Sequence, residues 1–127
     1  MKNRILIFII SSLFCICTCC FSSLYVISSM KQLNSIREEA LTFTEKGDKQ
    51  NALEKTEEMI SFIDKRSTVF EMMTPHEDLH ELVVSLTDAR VSLDINDMDD
   101  YIKAIMLIEE NIHHLIAHES ISIGNVF

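Results

Sequence analysis

His76-Glu77-Asp78-Leu79-His80 matches the H-E-x-x-H pattern, in which two imidazoles one helical turn apart hold zinc and the glutamate activates a water molecule for hydrolysis. Glu77 would be the base. A third ligand would have to come from His113, His114 or His118, and Glu110, His114 and His118 share one helical face. The same residues also have plainer roles. The string falls in the first turn after Pro75, where Glu77 is a helix-cap partner, and no substrate-binding strand accompanies it. Imidazoles near a helix C-terminus interact favourably with its dipole, and Glu to His pairs one turn apart add roughly 0.3 kcal/mol. A membrane-tethered zinc-dependent hydrolase using His76, Glu77 and His80 is therefore the alternative expectation. The leading one is a protein that is not an enzyme, with no catalytic, cofactor-binding or metal residue and no cofactor. A pH sensor that opens when His114 and His118 protonate is a third reading.

Cysteine chemistry is confined to one place. Cys15, Cys17, Cys19 and Cys20 form the string Cys-Ile-Cys-Thr-Cys-Cys, with Cys15 and Cys19 on one helical face and Cys17 and Cys20 on another. A soft-metal site would suit such thiols, but charged thiolates at mid-bilayer are costly, and thiols pack there as small hydrophobes. Everything after residue 20 lacks Cys, so no disulfide staples it. The acidic stretch from Asp94 to Asp99 lacks the glycine of a calcium loop and reads as a helix cap. No serine stands in a nucleophile-elbow context.

The element that must position these groups first is a membrane helix. Residues 5–30 contain no charged side chain, and residues 5–27 are rich in Ile, Leu, Phe, Val and Cys. About 20 apolar residues cross a hydrocarbon core, more than a secretory signal's apolar region of roughly 7 to 15 requires. We therefore expect residues 1–30 to be an uncleaved membrane anchor spanning about 5–27. Residues 31–127 are expected to form an extracytoplasmic helical domain. Lys2 and Arg4 before the apolar run favour a cytoplasmic N-terminus in a single-pass protein of the cell membrane. Those two bases belong to a total of 11 Lys and Arg, so the rest of the chain holds 9 against 20 acidic residues, which argues against nucleic acid as a partner. Two Gly, one Pro and no Trp leave little turn material for a sandwich or barrel.

Beyond the anchor the periodicity is helical. Leu33, Ile36, Ala40 and Phe43 extend the spanning helix as an amphipathic one that Gly47 ends. Asp48 caps a second helix with Leu53, Ile60, Ile63 and Phe70 inward, reaching Met73. Thr74, Pro75 and Glu77 form a capping box for a third, carrying Leu79, Leu82, Leu86, Ala89 and Leu93. Asp97 and its acidic neighbours start a fourth, with Tyr101, Ile105, Ile108, Ile112 and Leu115 inward, and residues 120–127 are expected to fold back on the bundle. A shift of 49 residues aligns Leu33 with Leu82, Ala40 with Ala89, Gly47 with Asn96 and Asp48 with Asp97. This weak repeat points to two αα-hairpins in an all-α fold, an N-terminal transmembrane helix continuing into a small antiparallel four-helix bundle.

With the helices placed, the chain resembles a family of small bacterial proteins known as domain of unknown function 4363. The resemblance lies in the single N-terminal membrane helix with its short helical domain, in His76-Glu77-Asp78-Leu79 at the start of the third helix, and in Ile123-Gly124-Asn125-Val126-Phe127. The family often has Trp in the second helix, absent here, and more often an acidic residue where His80 stands, which makes the zinc pattern accidental. The resemblance implies an uncharacterised membrane-anchored module with no catalytic residues to carry over. Its expected partner is another membrane or cell-surface protein, or a second copy of itself.

Overall fold

No glycine or proline precedes Gly47, and the first helix runs without interruption from the apolar segment into the packed part of the chain. The computed structural model describes residues 2–125, apart from the side chain of Lys2. It contains α1 (Lys2–Glu45), α2 (Lys49–Asp64), α3 (Ser67–Met73), α4 (His76–Asp94) and α5 (Met98–Gly124), and no strand among the described residues. Residues 3–19 of α1 are exposed on every side. From there on one stripe turns inward: Ser23, Val26, Met30, Leu33, Arg37 and Ala40 are buried at alternating steps of three and four.

The other long helices bury stripes of the same period. In α2 the stripe is Ala52, Thr56, Met59 and Ile63, in α4 it is Leu79, Leu82, Leu86, Ala89 and Leu93, and in α5 it is Tyr101, Ile105, Ile108, Ile112, Leu115 and Glu119. A seven-residue repeat of this kind keeps a seam facing its neighbours along the whole helix. Accordingly α1 packs along α2 and α5, α4 packs along α5 and α2, and one apolar core joins all four. α3 closes one end against α1 and α4, where Phe70 is fully buried and its ring lies 6.3 Å from that of Tyr25.

The α1–α2 and α4–α5 turns are built alike. Gly47 adopts φ 72° and Asn96 φ 62°, the left-handed conformation that ends many helices. Gly47 N–H donates to Thr44 C=O and Asp48 N–H to Phe43 C=O, both at 2.9 Å. Asn96 N–H donates to Leu93 C=O at 3.2 Å and Asp97 N–H to Ser92 C=O at 2.9 Å. Each following carboxylate caps the next helix, Asp48 accepting from Asn51 N–H and Asp97 from Asp100 N–H, both at 3.1 Å. The 49-residue shift thus maps turn onto turn and bond onto bond. The turns are also neighbours in space, since Lys49 Nζ donates to Asn96 Oδ1 at 2.9 Å.

Four expectations need correction. The second helix does not reach Met73: it stops at Asp64, and the chain restarts as α3 after Arg66, whose φ of −114° and ψ of 1° leave the helical region. There the Arg66 guanidinium sits 3.8 Å over the Phe62 ring and donates to Phe62 C=O at 3.2 Å, which holds the break. The inward stripe of α2 is rotated from the expected one, because Leu53 and Ile60 are half-buried at its flank while Ala52 and Thr56 are fully buried. Thr74 forms no capping box. Pro75 holds it extended, its hydroxyl donates back to Phe70 C=O at 2.8 Å, and Pro75 itself precedes α4 as the cap residue. Finally, α5 continues through Gly124 with Ile121 exposed, so no folded-back tail begins at Ser120. Val126 and Phe127 lie outside the described residues.

Candidate functional site

His76 and His80 stand on the first turns of α4, both exposed. His113, His114 and His118 are exposed on α5, where His114 Nδ1 lies 3.5 Å from Asp78 Oδ1 of α4. Among the described residues no three His, Cys, Asp or Glu side chains converge as a metal site would require. The four cysteines are unbridged, with Cys15, Cys17 and Cys19 exposed and Cys20 half-buried. The residues that sequence chemistry singled out are therefore spread over the surface of two helices and the apolar segment.

Two places carry more structure. The first is a groove between α4 and α5, about 320 Å³ in volume, lined by Asp88, Val91, Ile95, Lys103 and Leu107 among others. Val91 and Leu107 are about half exposed and Ile95 is 68% exposed, and Val84 is a further exposed apolar residue two turns before Val91, beyond Asp88. Asp88, Asp100 and Lys103 border it with charge, and Lys103 Nζ reaches Asp100 Oδ1 at 2.7 Å. That carboxylate holds the Lys103 ammonium above the usual lysine range.

The second place is a cavity of about 480 Å³ at the joint between the exposed apolar part of α1 and the packed core. Cys19, Cys20, Ser22 and Ser23 of α1 line it with His118, Glu119, Ser122 and Ile123 of α5 and with Met73 and Pro75 from the α3–α4 link. Glu119 is only 5% exposed and its Oε2 accepts from Ser23 Oγ at 2.7 Å. No basic side chain among the described residues forms an ion pair with it.

Several polar groups inside the packed region find partners in place. Arg37, buried in the α1 seam, directs Nη1 to Glu109 Oε2 at 3.3 Å and donates from Nε to Asn34 Oδ1 at 2.9 Å. Thr56 donates to Ala52 C=O and lies 2.9 Å from the Tyr101 hydroxyl, which is left to be the donor between them. Burial raises the Tyr101 phenol above the ordinary tyrosine range, with the hydroxyls of Thr56 and Thr44 pulling the other way. Lys55 bridges α1 and α2, and its hydrogen bonds to Glu39 and Glu58 at 2.8 Å raise it well above the usual lysine range.

Neither the cavity nor the groove figures among the motifs visible in the sequence. Glu119 could have been found as the next step of the Tyr101 to Leu115 stripe, at Leu115 plus four. The groove was signalled by Val84, Val91 and Ile95, apolar residues in excess of what one seam of α4 can bury.

These features define an all-helical protein with one N-terminal helix long and apolar enough to cross a membrane. Residues 20–126 match the family described as Domain of unknown function (DUF4363), and the chain belongs to that family. No curated protein and no solved structure matches it.

Proposed function

We propose that this is a single-pass membrane protein that is not an enzyme, and that its helical domain binds another protein outside the cytoplasm. α1 is the anchor, with Lys2 and Arg4 on the cytoplasmic side, and the two similar hairpins α1–α2 and α4–α5 form an antiparallel four-helix bundle. The shared period of the four buried stripes supports that arrangement, since such seams suit helices lying nearly side by side. The observation that carries the binding role is the groove between α4 and α5. Val91, Ile95 and Leu107 present an exposed apolar surface in this groove, bordered by Asp88, Asp100 and Lys103. On a small domain an apolar patch with a polar rim marks a protein contact, where aliphatic anchors bury and rim charges set orientation.

Photocrosslinking in native membranes tests this. A photoreactive residue placed at Val91, at Ile95 or at Leu107 should trap one and the same partner, and Val91→Lys should abolish the crosslink made from Leu107. The same probe at Glu54 or Glu58 on α2 should trap nothing specific. Crosslinks that differ at every groove position, or that survive Val91→Lys, would remove the groove from consideration.

A further inference from the structure

We infer that the cavity around Glu119 binds a phosphoethanolamine group, a primary ammonium next to a phosphate, carried by a membrane lipid or free. A carboxylate buried to this degree is costly unless a cation or several donors compensate it. Among the described residues Glu119 has one protein donor, Ser23, and no protein cation, yet it lines a cavity whose volume falls within the range of small-molecule sites. A primary ammonium fills that need, because it brings both the positive charge and N–H donors to the carboxylate. The rest of the wall suits the remainder of such a ligand. Ser22, Ser122 and His118 offer donors to a phosphate, and Met73, Pro75 and Ile123 offer apolar surface to the carbon chain beyond it.

The position of the cavity favours the lipid as the source, a preference that rests on reading α1 as the anchor. From Ile5 to Leu24, the last strongly exposed apolar residue of α1, the helix rises about 29 Å, close to the thickness of a hydrocarbon core. Ser22 and Ser23 then fall in the last turn of that span, at the border between hydrocarbon and headgroups, with Ser122 and Ile123 of α5 across the cavity. Exposed Phe21, Leu24, Met72 and Ile121 surround this level with apolar side chains. A choline headgroup has the charge but no N–H to give, so the site should distinguish the two common zwitterionic lipids.

The full chain is reconstituted in vesicles of equal phosphatidylethanolamine and phosphatidylcholine, and the lipids that stay bound on release are counted by native mass spectrometry. Retention of ethanolamine over choline lipid by about tenfold or more is expected. Glu119→Gln, which keeps the size and still accepts from Ser23, should bring the ratio to about one. Ile123→Trp, which fills the cavity and leaves Glu119 in place, should do the same, while Glu110→Gln on the exposed side of α5 should retain the preference. A parallel titration with free phosphoethanolamine in detergent separates the sources: a lipid site holds it weakly, and displacement of bound lipid at micromolar concentration assigns the cavity to the soluble amine. Equal retention of both lipids with no binding of phosphoethanolamine overturns the inference, as does a preference that survives Glu119→Gln. Failure of the chain to float with the vesicles instead overturns the anchor reading and the lipid source with it, leaving the titration to decide the cavity.

Discussion

Arg37 on α1 and Glu109 on α5 meet at 3.3 Å with unequal exposure, the guanidinium almost wholly buried and the carboxylate 41% exposed. The two residues therefore answer differently to removal. Glu109→Ala leaves a buried cation with Asn34 and, at 3.9 Å, the exposed Glu38 carboxylate as remaining partners and should cost about 1 to 2 kcal/mol, below the usual penalty for a broken buried pair because Glu109 is partly in water. Arg37→Met puts an apolar chain of similar length into a stripe that is otherwise mostly apolar and frees Glu109 to hydrate, so it should cost less and can stabilise. Thermal melts of the full chain in detergent, followed by far-ultraviolet circular dichroism, give the order directly; a larger loss for Arg37→Met would contradict it.

The paired turns make a second prediction. A Cβ added at Gly47 meets nothing within 4 Å, so the penalty of a side chain there comes from φ 72° alone. Gly47→Ala should cost about 1 to 2 kcal/mol, the price of a left-handed L-residue. Asn tolerates this region better, and Asn96 already occupies the equivalent turn, so Gly47→Asn should cost less than Gly47→Ala. Equal melting temperatures for the two variants would show that the turn does not hold the left-handed conformation in solution.

What could be read in the sequence was local or strictly periodic. Gly47, Asp48 and Asp97 act within one turn of themselves, and the stripes of α4 and α5 are dominated by large apolar residues whose spacing leaves no choice of face. α2 misled because its buried positions include small Ala52 and polar Thr56, while bulkier Leu53 and Ile60 lie at the flank. The break before α3 carries no Gly or Pro; it is held by Arg66 stacking on Phe62 one turn earlier, a local pair that an unbroken helix would accommodate equally well. Glu119 escaped notice because a carboxylate on a stripe ordinarily faces water. Its burial depends on Ser23, 96 positions earlier in the chain.

Tyr101 should give the fold an alkaline limb. Burial raises its phenol above the ordinary value, so the folded state holds the proton more tightly than the unfolded chain does. The resulting stability is fully present below about pH 10 and is lost as pH rises through the folded value. Tyr101→Phe removes the donor to Thr56 but leaves Thr56 bonded to Ala52, so near neutral pH it should cost only about 1 kcal/mol. Between pH 9.5 and 11 the melting temperature of the natural chain should fall more steeply than that of Tyr101→Phe. Lys55 and Lys103 lose their own contributions in the same range but are common to both proteins, so the difference isolates the phenol. Parallel curves would mean that Tyr101 reaches solvent before it titrates.

The histidines provide the last test, because the H-E-x-x-H string and the bundle reading make opposite demands on them. If His76 and His80 held zinc, the metal would be linked to folding, and losing one ligand would lower both metal content and stability. Both side chains are exposed, and Glu77 is exposed beside them. Exchanging exposed side chains that support no cap or buried pair alters stability by about 0.5 kcal/mol at most. His80→Asn, alone or with His76→Asn, should therefore melt within that margin of the natural chain, and elemental analysis of both should find zinc well below one equivalent. One equivalent of zinc in the natural chain, lost together with several degrees of melting temperature in His80→Asn, would instead establish a metal centre at the start of α4. His113, His114 and His118 would then be the next residues to replace in search of its third ligand.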